Sequence, residues 1–183
     1  MAPPTTFFRK YLDSPFCVDG KTSYTVKEAA QSYPNTGYRA DCVYLQFGIF
    51  VRADGTRLLI AKYGKGGRDR WTQLKKQYGP WIASNESNVF FIRTDYMLHS
   101  GLTEKIVHWL LQKPNPYFVI ANLTLLDGST SKEAYFLCPA AAGGVITKAR
   151  AVECLAFVRD LNAVVLTYII AARAKKFEDA GRE

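Results

Sequence analysis

Three Asp-Gly dipeptides, Asp19-Gly20, Asp54-Gly55 and Asp127-Gly128, each stand between two apolar runs. Asp-Gly tolerates the positive φ that both central residues of a tight two-residue turn require, and is the strongest short-range hairpin signal in a sequence. Three of them predict a mostly antiparallel sheet. Their flanks do not match, so they are not a sequence repeat.

The central hairpin is the clearest. From Cys42 to Val51 the residues Val43, Leu45, Phe47, Ile49 and Val51 alternate onto one face, and Arg57 to Tyr63 reads as the return strand. A two-residue turn at Asp54-Gly55 would set Val51 opposite Leu58 and Ile49 opposite Ile60 on the core face. On the other face it would set Phe50 opposite Leu59 and Arg52 opposite Arg57. Like charges in direct opposition destabilise a ladder slightly, and either a bound anion or splaying into water relieves them.

The first hairpin pairs Phe16-Cys17-Val18 with Lys21 to Thr25, and the third pairs Tyr117 to Leu126 with Glu133 to Cys138. Between these come helix signals. Thr25 and Glu28 have the spacing of a capping box, for a short helix to Gln31. Asp69 is placed to cap Arg70 to Tyr78, with Trp71, Leu74 and Tyr78 as its apolar stripe and Gly79-Pro80 as its stop. Val89 to Ile92 is a short strand. Ser100 or Thr103 caps a helix to Lys113, with Leu102, Ile106, Trp109 and Leu110 facing inward, ended by Pro114 and Pro116. Thr147 starts a long C-terminal helical segment in which Asn162 is a candidate break. The stretch Ala163 to Ala172 is apolar nearly all round, so it reads as buried or as a subunit interface, with a strand as its alternative. Arg173, Lys175 and Lys176 suit a helix C-terminus.

The expected architecture is one α+β domain over residues 1–183. A mostly antiparallel sheet built from Asp-Gly hairpins is covered by two or three helices, including the long C-terminal one, with a flexible arm at 1–6 and a frayed tail at 178–183. A hydrophobic share of 48 % excludes wholesale disorder. Cys17, Cys42, Cys138 and Cys154 are scattered, with no CxxC pair, and only His99 and His108 could assist them, so neither a structural zinc site nor any other metal site is expected. Such cysteines suit free thiols in a reducing compartment. The N-terminus lacks a signal-peptide pattern, and Ala163 to Ala172 alone is too short to span a bilayer. The expected location is cytoplasmic or nuclear, with no membrane partner.

Charge gives the functional reading. Of the net +8, six charges fall between Arg57 and Lys76, where seven cations face Asp69 alone. Tyr63, Trp71, Tyr78 and Trp81 are interleaved among them. Cations that neutralise phosphates release counterions, and aromatic faces stack on unpaired bases. The expectation is a non-catalytic nucleic-acid-binding protein acting on single-stranded or irregular nucleic acid, DNA or RNA. Arg52, Arg57, Lys62, Lys65, Arg68, Arg70, Lys75 and Lys76 would hold phosphates, and Tyr63 and Trp81 would stack. The bland reading of the same segment is a solvated basic face whose aromatics are core.

Two other readings stand beside this one. In the first, a protein-interaction or assembly module, the basic face meets an acidic protein and the C-terminal helix forms a homo-oligomer, as in a virion component, a defence-system subunit or an inhibitor. In the second, Gly64, Gly66 and Gly67, ahead of the Asp69 helix, form an anion loop for a phosphorylated substrate. Their spacing fits neither a P-loop nor a dinucleotide fingerprint, and no cofactor is expected. His99 and His108, each four residues after a carboxylate (Asp95 and Glu104), would make an acid–base pair only if the fold joined them. Asp41, Asp54, Asp69 and Asp95 are too dispersed for a metal-dependent nuclease.

Overall fold

A computed structural model of the chain describes residues 3–17, 23–33, 42–51, 57–66, 88–92, 100–121, 135–137 and 148–181. Their elements run α1 (Pro4–Arg9), β1 (Pro15–Cys17), β2 (Ser23–Thr25), α2 (Val26–Ser32), β3 (Cys42–Val51), β4 (Arg57–Gly66), β5 (Asn88–Ile92), α3 (Ser100–Leu111), β6 (Val119–Ala121), β7 (Tyr135–Leu137) and α4 (Lys148–Ala180). β1 and β2 form a small pair, and the other strands form a sheet of order β5-β3-β4-β7-β6 in which every neighbour is antiparallel. The architecture is α+β, as the alternating runs and turn signals predict.

The strands flanking each Asp-Gly pair are neighbours, but their register is not that of a two-residue turn. In the central hairpin Val51 pairs with Arg57, Phe50 with Leu58 and Ile49 with Leu59. Arg57 therefore faces Val51 rather than Arg52, and the expected clash of like charges falls away. Partner numbers sum to an even value, so an odd number of residues separates the last pair, as in three- and five-residue loops. The same parity holds for β1–β2, where Cys17 faces Ser23, and for β6–β7, where Ala121 faces Tyr135. The Asp-Gly turns themselves lie outside the described residues. A one-residue slip moves every side chain of a strand to the other face, and the effect on β4 is large. Tyr63 now pairs with Leu45 and joins Val43, Leu45 and Ala61 in the core.

That core closes on α4, which runs for 33 residues and so spans about 50 Å. Cys154, Phe157, Val158, Leu161, Val165 and Ile169 recur along one face of α4 at helical spacing, and all are buried. The apolar segment 163–172 is helix throughout. Asn162 does not break it: its Nδ2 donates to Val158 O at 2.8 Å, one turn back. Helices α1, α2 and α3 all pack on α4. α3 buries Leu102, Ile106, Val107, Leu110 and Leu111, while Trp109 stays at the margin. Asn115 then closes its C-terminus, donating to Leu111 O and Lys113 O and accepting from the amides of Tyr117 and Phe118.

The ends of the chain differ from expectation. Residues 4–6, read as part of a loose arm, open α1 with Pro4 at a first-turn position, where its missing N–H costs nothing. Phe8 on α1 is buried against Tyr168, ring centroids 5.3 Å apart. At the other end α4 remains helical to Ala180, three residues into the expected tail. The Thr25–Glu28 capping box forms as read, with Glu28 N donating to Thr25 Oγ1 at 3.1 Å and Thr25 N to Glu28 Oε2 at 2.7 Å. These bonds hold the Glu28 carboxyl below its ordinary pKa. Arg173 closes the other end of α2, donating to Ala30 O and Tyr33 O at 3.1 and 2.7 Å.

Candidate functional site

The residues expected to bind nucleic acid divide into three groups. Arg52, Gly67, Arg68, Arg70, Lys75, Lys76 and Trp81 lie outside the described residues, as does His99. Arg57, Lys65 and Gly66 are placed on β4 by its backbone. Lys62, Tyr63 and Gly64 are resolved in full, and all three are buried.

Tyr63 offers no stacking face. It is 2 % exposed, and its hydroxyl donates to Asn162 Oδ1 on α4 at 2.8 Å. Burial, with Glu104 nearby, pushes its pKa well above that of a free phenol, so it stays neutral. This is a strand-to-helix tie in the core, and the register slip described above puts it there. Lys62 is 8 % exposed, too enclosed to reach a phosphate backbone on the surface. Both are corrections to the expected binding set.

The anion loop fails on geometry as well. Gly64 and Gly66 are rungs of β4, paired with Tyr44 and Cys42, rather than members of a loop. Gly64 is there for room. The Tyr44 ring lies across it, and a Cβ at this position would sit 2.7 Å from the Tyr44 hydroxyl oxygen and 2.9 Å from Cζ. Covering a strand glycine with a cross-strand aromatic restores apolar contact that the glycine cannot make.

His108 lies on the outer edge of α3, half-buried. Burial first, and Lys62 second, lower its pKa, so the imidazole is neutral near pH 7. Gln112 Nε2 lies 3.2 Å from Nδ1, the pairing of the Nε2–H tautomer. Among the described residues no group of three or more His, Cys, Asp or Glu could hold a metal ion. Cys17 and Cys154 are free thiols, the second donating to Tyr117 O at 3.7 Å.

A cluster of buried and half-buried rings escaped the sequence reading. Phe16, Trp109, Tyr11, Phe7, Phe157 and Tyr117 form a continuous chain of ring contacts, with centroids 4.7 to 6.0 Å apart. Lys113 sits over Trp109 at 4.1 Å and Arg150 over Tyr117 at 4.9 Å, which caps two of the half-buried rings with cations. Trp109–Lys113 and Phe7–Tyr11, each four residues apart, are the pairs that spacing could have suggested.

Among the described residues one helix, Val152–Ala180 of α4, is long and apolar enough to cross a membrane by length and composition. Its most apolar 18-residue window has a mean hydropathy of 1.7, and 44 % of that window is buried inside this protein. Its outward residues include Val152, Ile170 and Phe177, the last 80 % exposed.

Comparison with protein-family models, with curated proteins and with solved structures finds no match to this chain.

Proposed function

We propose that this protein binds nucleic acid without catalysis, through the cationic tract that begins on β4 and continues into the connection to β5. The observation that carries the reading is charge placement. With Lys62 withdrawn into the interior, Arg57, Lys65, Arg68, Arg70, Lys75 and Lys76 still face one acid, Asp69. Topology supports it. Residues 67–87 leave β4 at Gly66 and return to β5 at Asn88, on the far side of β3, so both ends of the tract are anchored to the sheet. Arg52 at the hairpin adds a further phosphate contact, and of the two expected stacking residues Trp81 remains. A single-stranded or irregular target suits separate cations with an aromatic neighbour.

The test is binding of labelled single- and double-stranded DNA and RNA at several salt concentrations. Five phosphate contacts on a single strand give a slope of roughly −3.5 in log affinity against log salt. Arg68→Glu with Lys75→Glu should flatten that slope and weaken binding. Salt-independent affinity, or an unaffected double variant, would sink the reading.

The exposed Ile170 and Phe177 favour a second reading, an assembly module that self-associates through α4 and meets an acidic protein with its basic tract. A stable dimer by light scattering, with no retention of nucleic acid, would favour it over the first. The phosphorylated-substrate reading loses its support, because Gly64 and Gly66 are strand residues. For either of the first two readings we infer a cytoplasmic or nuclear location, with which the free thiols of Cys17 and Cys154 accord.

A further inference from the structure

We propose that the groove between α1 and α4 is a binding site for a medium-chain aliphatic carboxylate. This inference is independent of nucleic-acid binding. The groove has a volume of about 480 Å³, within the range of small-molecule sites. Phe8 and Leu12 wall it on one side and Val164 on the other. Ala163 and Ala171, eight residues apart on α4, leave the space open instead of filling it. Their separation along the helix is about 12 Å, the reach of an alkyl tail rather than of a compact metabolite.

The polar groups give the head group its sign. Arg9, Thr5, Thr167 and Tyr168 line the same groove, and among the described residues none of their side chains makes a hydrogen bond or an ion pair. All four can donate, and Arg9 brings a fixed positive charge. Tyr168 is a protonated donor at neutral pH, as an ordinary phenol is, and partial burial and Asp13 move its pKa further up. Asp13 is the acid felt from outside the lining, and its charge opposes an anion there. An apolar trough with a guanidinium and three hydroxyls, none bonded among the described residues, matches a carboxylate with a hydrocarbon tail. A neutral lipid would leave Arg9 unused, and a cationic amphiphile would meet it head-on.

The probes are decanoate, decanol and decyltrimethylammonium, measured by calorimetry on the whole chain. Decanoate should bind at least tenfold tighter than decanol, and the cation should not bind. Arg9→Gln should weaken decanoate by about 10-fold or more, the scale of a lost hydrogen bond to a charged group, and leave decanol unchanged. Asp13→Asn should tighten decanoate several-fold. Ala171→Phe, which fills the groove from an exposed helix position, should abolish both while leaving the circular dichroism spectrum unchanged. No decanoate binding at millimolar concentration, equal affinity for the alcohol, or an indifferent Arg9→Gln variant would each overturn the proposal, whatever the outcome with oligonucleotides.

Discussion

β4 and α4 are joined by the buried Tyr63–Asn162 hydrogen bond and distribute their residues in opposite ways. The strand looks from its composition like a surface, with Lys62, Tyr63, Lys65 and three Gly or Ala positions, yet it buries both Lys62 and Tyr63, on opposite faces of the sheet. The helix looks like core between Ala163 and Ala172, yet it leaves Ile170 46 % exposed and Phe177 bare further on. Residue type sets what burial costs, whereas register and neighbours decide who is buried. A polar residue can go inside when a partner waits for it, and Asn162 is that partner for Tyr63.

The contrast breaks most readily at Tyr63. Tyr63→Ala removes a large buried ring, and should lower unfolding stability by about 3–5 kcal/mol in denaturant titration. A loss below about 0.5 kcal/mol would return Tyr63 to the surface. Next in size is the cross-strand lid on β4. Gly64→Ala drives a methyl into the Tyr44 ring and should cost about 1–3 kcal/mol. Part of the loss should return in the double variant with Tyr44→Ala, because the two residues are in contact. Asn162→Ala should cost a similar amount, about 1–3 kcal/mol, by leaving the Tyr63 hydroxyl buried without an acceptor. A neutral result there would mean that the strand and helix are held by apolar contact alone.

The pH dependence sharpens the same comparison on the α3 side of β4. The folded-state pKa of His108 lies below its unfolded value, so the unfolded chain binds more protons as pH falls through the usual histidine range. Stability from this group is therefore full above that range and declines as pH drops through it. His108→Gln should flatten that part of the stability profile, and an unchanged profile would remove the proposed burial of the ring. The smallest effect is expected on the bare part of α4. Phe177→Ser should change stability by no more than about 0.5 kcal/mol, and any larger loss at low protein concentration would show that Phe177 is covered within one chain.

Local features were the legible ones. The Thr25–Glu28 box, the inward Leu102, Ile106 and Leu110 of α3, and the pairing of β1 with β2 and of β3 with β4 all depend on residues close in the chain, and all appear as read. The β3–β5 and β4–β7 pairings join distant residues and were not read. Register was not legible, because Asp-Gly suits a two-residue turn and longer hairpin loops alike, and the difference of one residue inverted β4. α1 was missed because Pro3-Pro4 reads as an extended arm as readily as a helix start. Asn162 reads locally as a helix breaker, and only a partner 99 positions away makes it an asset. Of the expected nucleic-acid site, the two residues the structure resolves in full, Lys62 and Tyr63, are those it withdraws.

The order of synthesis gives α4 one more consequence. α1, α2 and α3 all leave the ribosome before the helix on which they rest. Until roughly the last fifth of this sequence emerges, Phe8, Val26 and Ile106 lack α4 to close over them, and translation pauses upstream of Lys148 would prolong that exposure. A nascent chain arrested before α4 should bind holdase chaperones, and one arrested well beyond Ala180 should release them.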